Sequence, residues 1–165
     1  MKTATMALSR DLALTPDERD DILASEWNMR ISTLSPSGRI NATPLWFCWH
    51  GGKVWAYCRG KKVENLRRSP QCTVLVDRAT RFMELQGVMI QGEAKVLEDA
   101  QAEADEAELV AVRELMGRKY HGGHGEAPGG EPTPFAPSAR GRSWRWVKIT
   151  PVHIITWDNT KIPRP

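Results

Sequence analysis

Five of the ten residues from Arg59 to Arg68 are basic, and only Glu64 is acidic. Gly60 stands just before Lys61 and Lys62, and a strand-like run precedes it. Backbone N–H groups at a helix start therefore fall beside two ammonium groups, a setting that suits a phosphate. A solvated basic helix face is the competing reading. Arg67 and Arg68 lie later on the same segment, where they face solvent or a longer anion.

A second group is Thr43-Pro44-Leu45-Trp46-Phe47. In a regular strand Trp46 and Phe47 point to opposite faces. One ring can then fill a core while the other meets an interface or a ligand ring, although packing alone would account for either. Pro44 cannot donate to a ladder, so its strand needs an edge or a bulge there. His121-Gly122-Gly123-His124 lacks a Cys or carboxylate framework and reads as loop rather than metal site. No nucleophile elbow, P-loop or dinucleotide fingerprint occurs, and no catalytic side chain is assigned.

The elements that must hold these groups are mostly strands. Thr15, Pro16 and Glu18 form a capping-box start for a helix ending near Glu26. Strands are expected at 29–34, 39–49 and 53–58, with turns at 35–38 and 50–52. A short basic helix over 59–69 stops at Pro70, and strands follow at 71–77 and 83–97. Asp99 caps an amphipathic helix over 99–119 with Leu109, Val112, Leu115 and Met116 on one stripe. Strands 144–149 and 152–157 close the sheet around Pro151. The fold class expected from these elements is mainly β with α additions, a closed six-stranded antiparallel barrel flanked by helices. All 165 residues form one domain, with 1–14 a flexible arm and 120–143 a mobile Gly/Pro-rich loop.

Composition narrows the classes. A net charge of +3 is mild and does not argue for nucleic acid. No apolar run approaches the roughly 20 residues that span a bilayer. Cys48, Cys58 and Cys72 show no metal-ligand spacing and suit buried free thiols in a reducing cytoplasm.

Several of these runs together resemble one family. Ile31-Ser32-Thr33-Leu34, Gly38-Arg39, Thr43-Pro44-Leu45-Trp46-Phe47 and Lys62-Val63-Glu64-Asn65-Leu66-Arg67-Arg68-Ser69-Pro70 resemble the pyridoxamine 5′-phosphate oxidase-like superfamily of flavin and deazaflavin split barrels. The resemblance covers residues 15–98 well and is weaker beyond. It implies a six-stranded antiparallel split β-barrel flanked by helices, a homodimer with cofactor sites in clefts between subunits, and a small-molecule substrate. The cofactor ring would lie along the second and third strands, against Thr43, Pro44, Leu45, Trp46 and Tyr57. Its phosphate would meet Lys62, with Lys61, Arg59 and Asn65 close by. The vitamin B6 oxidases of this superfamily carry an Arg–Lys pair on the strand before the hairpin, whereas Ile40 to Cys48 contains no Arg or Lys. The pattern is closer to the branch that uses coenzyme F420, whose anionic tail would suit cations spread from Arg59 to Arg68. The function implied is hydride transfer from reduced F420 to a small organic acceptor. An FMN-dependent oxidase or reductase, or a non-catalytic cofactor-binding protein, is the alternative.

Overall fold

The computed structural model describes residues 12–121 and 143–163. Helix α1 (Pro16–Ser25) starts as the sequence dictates. Thr15 accepts from the Glu18 backbone, and the Glu18 side chain accepts from the Thr15 N–H. Strands β1 (Met29–Leu34), β2 (Ile40–Leu45), β3 (Cys48–His50) and β4 (Lys53–Cys58) follow, then α2 (Lys61–Arg68), β5 (Gln71–Arg78) and β6 (Gln86–Leu97). Helices α3 (Ala100–Ala104) and α4 (Leu109–His121) precede the last strand, β7 (Arg145–Asp158).

All seven strands form one antiparallel sheet in the order β2-β1-β5-β6-β7-β4-β3. Its two edge strands are consecutive in sequence. Leu45 ends one edge and Cys48 begins the other, and three residues of chain span at most about 11 Å. The sheet must therefore curl until its edges nearly meet, which makes it a split barrel. The expected strand over 39–49 is thus two strands that leave the sheet at Trp46 and Phe47. Conversely, the runs on either side of Pro151 are one strand. A register shift between Gln91 and Gly92 places Pro151 opposite Gly92 and absorbs the missing N–H as a bulge. Counted in this way the sheet has seven strands rather than six.

The barrel interior holds Ile31, Phe47, Val54, Val74, Val88, Ile90 and Ile149, each at most 1% exposed. Ile22 and Leu23 of α1 and Val63 and Leu66 of α2 join this core. A second core lies on the outer face of β4 and the start of β7. There Trp55, Tyr57 and Trp146 pack beneath Leu109, Val112 and Met116 of α4. The helix expected over 99–119 is broken between Ala104 and Leu109, where Glu106 and Glu108 reach out to Lys148 and Lys53. Tyr120, read from sequence as the start of a loop, belongs to α4; residues 122–142 lie outside the described residues. Of the expected arm, residues 1–11 also lie outside them, but Leu14 is buried and its N–H bonds Thr156 at 3.0 Å. No helix among the described residues is long and apolar enough to cross a membrane.

Candidate functional site

The split is bounded by strands that lack a second neighbour. β2 pairs only with β1, which gives Pro44 the edge position it requires. β3 reaches only the first half of β4, through Trp55, Val54 and Lys53. Ala56, Tyr57 and Cys58 therefore have a strand partner on the β7 side alone. The two sequence runs singled out for a ligand, 43–47 and 59–68, thus begin on the two rims of one gap.

Register fixes which side chains face it. Met29, Ile31 and Thr33 of β1 are buried inward, so Leu45, Thr43 and Asn41 opposite them point inward too. Ile40, Ala42 and Pro44 point outward, and all three are exposed. Apart from Leu45 this inverts the usual rule: polar 41 and 43 face in and apolar 40, 42 and 44 face out. Leu45 packs against the core, whereas Asn41 stays open to solvent despite its inward face. The buried Thr43 Oγ1 has no hydrogen-bond partner among the described residues. A buried hydroxyl left unpaired is costly and marks a place where a ligand atom can complete the bonding.

Helix α2 stands beside this gap. Gly60 adopts φ +79°, a left-handed turn that carries β4 into the helix and that a side chain would resist. Val63 and Leu66 anchor one side of α2 in the core, and Asn65 Nδ2 donates to Thr33 Oγ1 at 3.0 Å. Asn65 therefore fixes the helix on β1, and its amide donor is engaged there. Lys62 is half-buried, donates to the Arg59 carbonyl at 3.1 Å and lies near the Cys58 thiol. Lys61 is exposed, and the Arg59 guanidinium stacks over Trp144 at 5.1 Å.

Many cations elsewhere carry a carboxylate, as Lys53 does with Glu108, Arg78 with Asp21 and Glu26, and Lys161 with Glu18. Arg59, Lys61 and Lys62 have no carboxylate partner among the described residues. Arg67 does: Glu98 takes two of its N–H groups at 2.7 and 2.6 Å and also lies 3.6 Å from Arg145. The expected run of free cations to Arg68 is thus interrupted at Arg67. Glu98 is held below the usual carboxylate range, first by this Arg67 hydrogen bond.

The remaining site residues divide. Trp46 and Phe47 do face different surroundings: Phe47 is fully buried, whereas Trp46 is 42% exposed and stacks on Tyr120 at 4.4 Å. The Tyr57 side chain points to the outer face, stacked 5.1 Å from Trp144 and tilted against Trp146 at 5.0 Å, so only its backbone edges the gap. Asn41 is absent from the sequence reading. Its signal was the alternation of polar 41 and 43 against apolar 40, 42 and 44. Tyr120 and Glu98 left no comparable trace, because each acts on residues far away in sequence. Among the described residues no three His, Cys, Asp or Glu side chains converge on a metal-sized space. The run from His121 to His124 lies outside the described residues apart from the backbone of His121.

Burial pushes the thiols of Cys48, Cys58 and Cys72 up to about 12, 11 and 12, so they stay protonated and inert near neutral pH. Lys119 is the reverse case. Burial lowers it from 10.5 to about 8, beneath the Phe47 ring at 4.0 Å. Between those values the unfolded chain keeps a proton that the folded chain has released, so Lys119 makes stability rise with pH across about 8 to 10.5. Urea unfolding at pH 7 to 10 should show a shallower rise in Lys119→Met than in the unchanged protein. An identical slope would contradict this.

The family model for pyridoxamine 5′-phosphate oxidase matches residues 15–158. The chain belongs to the pyridoxamine 5′-phosphate oxidase family. Within this fold, a conserved hypothetical protein from Mycobacterium tuberculosis superposes with a TM-score of 0.73 at 22% identity, over 94% of this chain and 92% of its own. An F420 reductase gives 0.57 at 16% identity, over 86% and 98%. An FAD binding protein from Mycobacterium smegmatis gives 0.56 at 17%, over 88% and 98%. At these identities the likeness is one of fold. No curated protein matches the sequence. Proteins of this fold thus include ones named for FAD binding and for F420.

Proposed function

We propose that this protein binds coenzyme F420 in the split between β2 and β4 and is an oxidoreductase acting on a small organic acceptor. The observation that carries the reading is the set Arg59, Lys61 and Lys62, which flank Gly60 on one rim of the split and have no carboxylate partner among the described residues, while the other rim carries the unpaired Thr43 hydroxyl. Lys61 and Lys62 would hold the phosphodiester, helped by the first N–H groups of α2. Thr43 and Asn41 would meet polar edges of the ring from the inward face of β2, and the half-open Trp46 indole would offer it a flat neighbour. When bound, reduced F420 supplies a hydride to an electron-poor double bond or a similar acceptor. The protein's part is to fix the ring and the acceptor and to keep water out.

A homodimer belongs to this proposal. Leu34, Ile40 and Val152 are 42%, 74% and 59% exposed, and all line one outer-face cavity of about 410 Å³ with Thr73, Gln91 and His153. An open apolar sheet face of this kind suits a second copy. That copy would also wall the neighbouring split.

One observation favours FMN as the second reading. Glu98 removes Arg67 from the run of free cations, and a shorter run suits one compact phosphate. Titration of both cofactors into the purified protein at low salt separates the two. Tighter F420 binding is expected; tighter FMN binding would place FMN first.

A further inference from the structure

The chain crosses from one sheet edge to the other at Trp46 and Phe47, and one side chain of α4 holds both residues. Neither lies in a strand, so the Phe47 peptide has no ladder to join. The Phe47 N–H instead donates to the Tyr120 hydroxyl at 2.8 Å, and that hydroxyl lies 2.7 Å from the Phe47 carbonyl oxygen. The Trp27 carbonyl oxygen is also within reach at 2.9 Å. A phenol has one proton, so it accepts from Phe47 and donates to one of the two carbonyls at a time. Burial raises the phenol's pKa, so it keeps that proton throughout the neutral range. The Tyr120 ring lies nearly parallel to Trp46, with 6° between planes, and meets Trp27 edge-on at 5.4 Å. The preceding Lys119 ammonium covers the Phe47 ring.

We infer that Tyr120 is a positioning residue for the split: its hydroxyl fixes the strand crossing at Phe47, and its ring fixes the orientation of Trp46 toward the cofactor. The inference deepens the cofactor reading above and rests on it for its functional consequence. A single phenol replaces the ladder bonds that a continuous strand would have made. Without it the buried Phe47 N–H and carbonyl would lack partners, and the crossing would loosen. The Trp46 indole would then lose one wall while its other parts remain in solvent.

The test compares Tyr120→Phe, which keeps the ring but removes the hydroxyl, with Val112→Ala on the same helix, which opens the α4 core without touching the crossing. Cofactor binding (F420 and FMN), thermal unfolding and exchange of the Phe47 amide are measured for each. Tyr120→Phe should speed Phe47 exchange and weaken cofactor binding, each by about tenfold, equivalent to about 1.4 kcal/mol. Val112→Ala, at a similar loss of thermal stability, should leave affinity within about twofold of the unchanged protein. Wild-type affinity in Tyr120→Phe, or an equal loss in Val112→Ala, would overturn the inference. Should Tyr120→Phe fail to fold, Trp46→Leu takes its place: affinity should fall while the Phe47 amide stays protected, and unchanged affinity would overturn it. If the unchanged protein binds neither cofactor, the cofactor reading fails. Phe47 exchange then decides the positioning role by itself, and an unaltered rate in Tyr120→Phe would overturn it.

Discussion

Replacing Lys62 with alanine should weaken binding of the phosphorylated cofactor about 10- to 100-fold, because a charge-assisted hydrogen bond is worth about 1.5–3 kcal/mol. Lys62 is half-buried on the first turn of α2, where its ammonium already lies against the Arg59 carbonyl at 3.1 Å. Its side chain is therefore partly ordered before any ligand arrives, so little entropy is lost on binding. Arg68 stands at the far end of the same helix and is exposed. Arg68→Ala should change affinity by no more than a few-fold, as screened surface charges do. A fluorescence titration of the two variants reads the difference. Equal, small losses would remove Lys62 from the site.

Ile40→Asp should dissociate the proposed dimer. Ile40 is 74% exposed on an edge strand, so the single chain gives up little core packing when it changes. In a twofold interface the substitution enters twice, and each copy would bury a carboxylate without a partner. Such penalties are several kcal/mol per ion, so the dimer should weaken by more than about 100-fold. Light scattering at micromolar protein measures this, with circular dichroism to verify the fold. A variant that remains dimeric would exclude this face, and a monomeric unchanged protein would exclude the dimer itself.

What could be read from sequence was whatever local chemistry decides. The Thr15–Glu18 capping box, the glycine that turns β4 into α2, and the need of Pro44 for an edge or a bulge all depend on a few adjacent residues. A closed antiparallel barrel followed from several short strands and the turns between them, and its split form from the family resemblance. The strand crossing at Trp46–Phe47 was not legible, because the phenol that replaces its ladder bonds comes from Tyr120, 73 residues away. The withdrawal of Arg67 by Glu98 was hidden for the same reason, at a separation of 31 residues. The division of the 99–119 helix follows from Glu106 and Glu108 reaching lysines on β7 and β4. Asn41 was legible in principle, because a strand with polar inward positions and apolar outward ones departs from the usual barrel pattern.

The cofactor account is tested most directly by calorimetric titration of F420 and FMN at low salt and at about 0.5 M, where the Debye length falls to roughly 4 Å. A tail of carboxylates draws on exposed cations such as Lys61, Arg59 and Arg68, whose attraction is screened, whereas a compact phosphate rests on the half-buried Lys62. F420 should bind more tightly than FMN at low salt, and its advantage should shrink at high salt. Tighter FMN binding at low salt, or an F420 advantage indifferent to salt, would contradict the account.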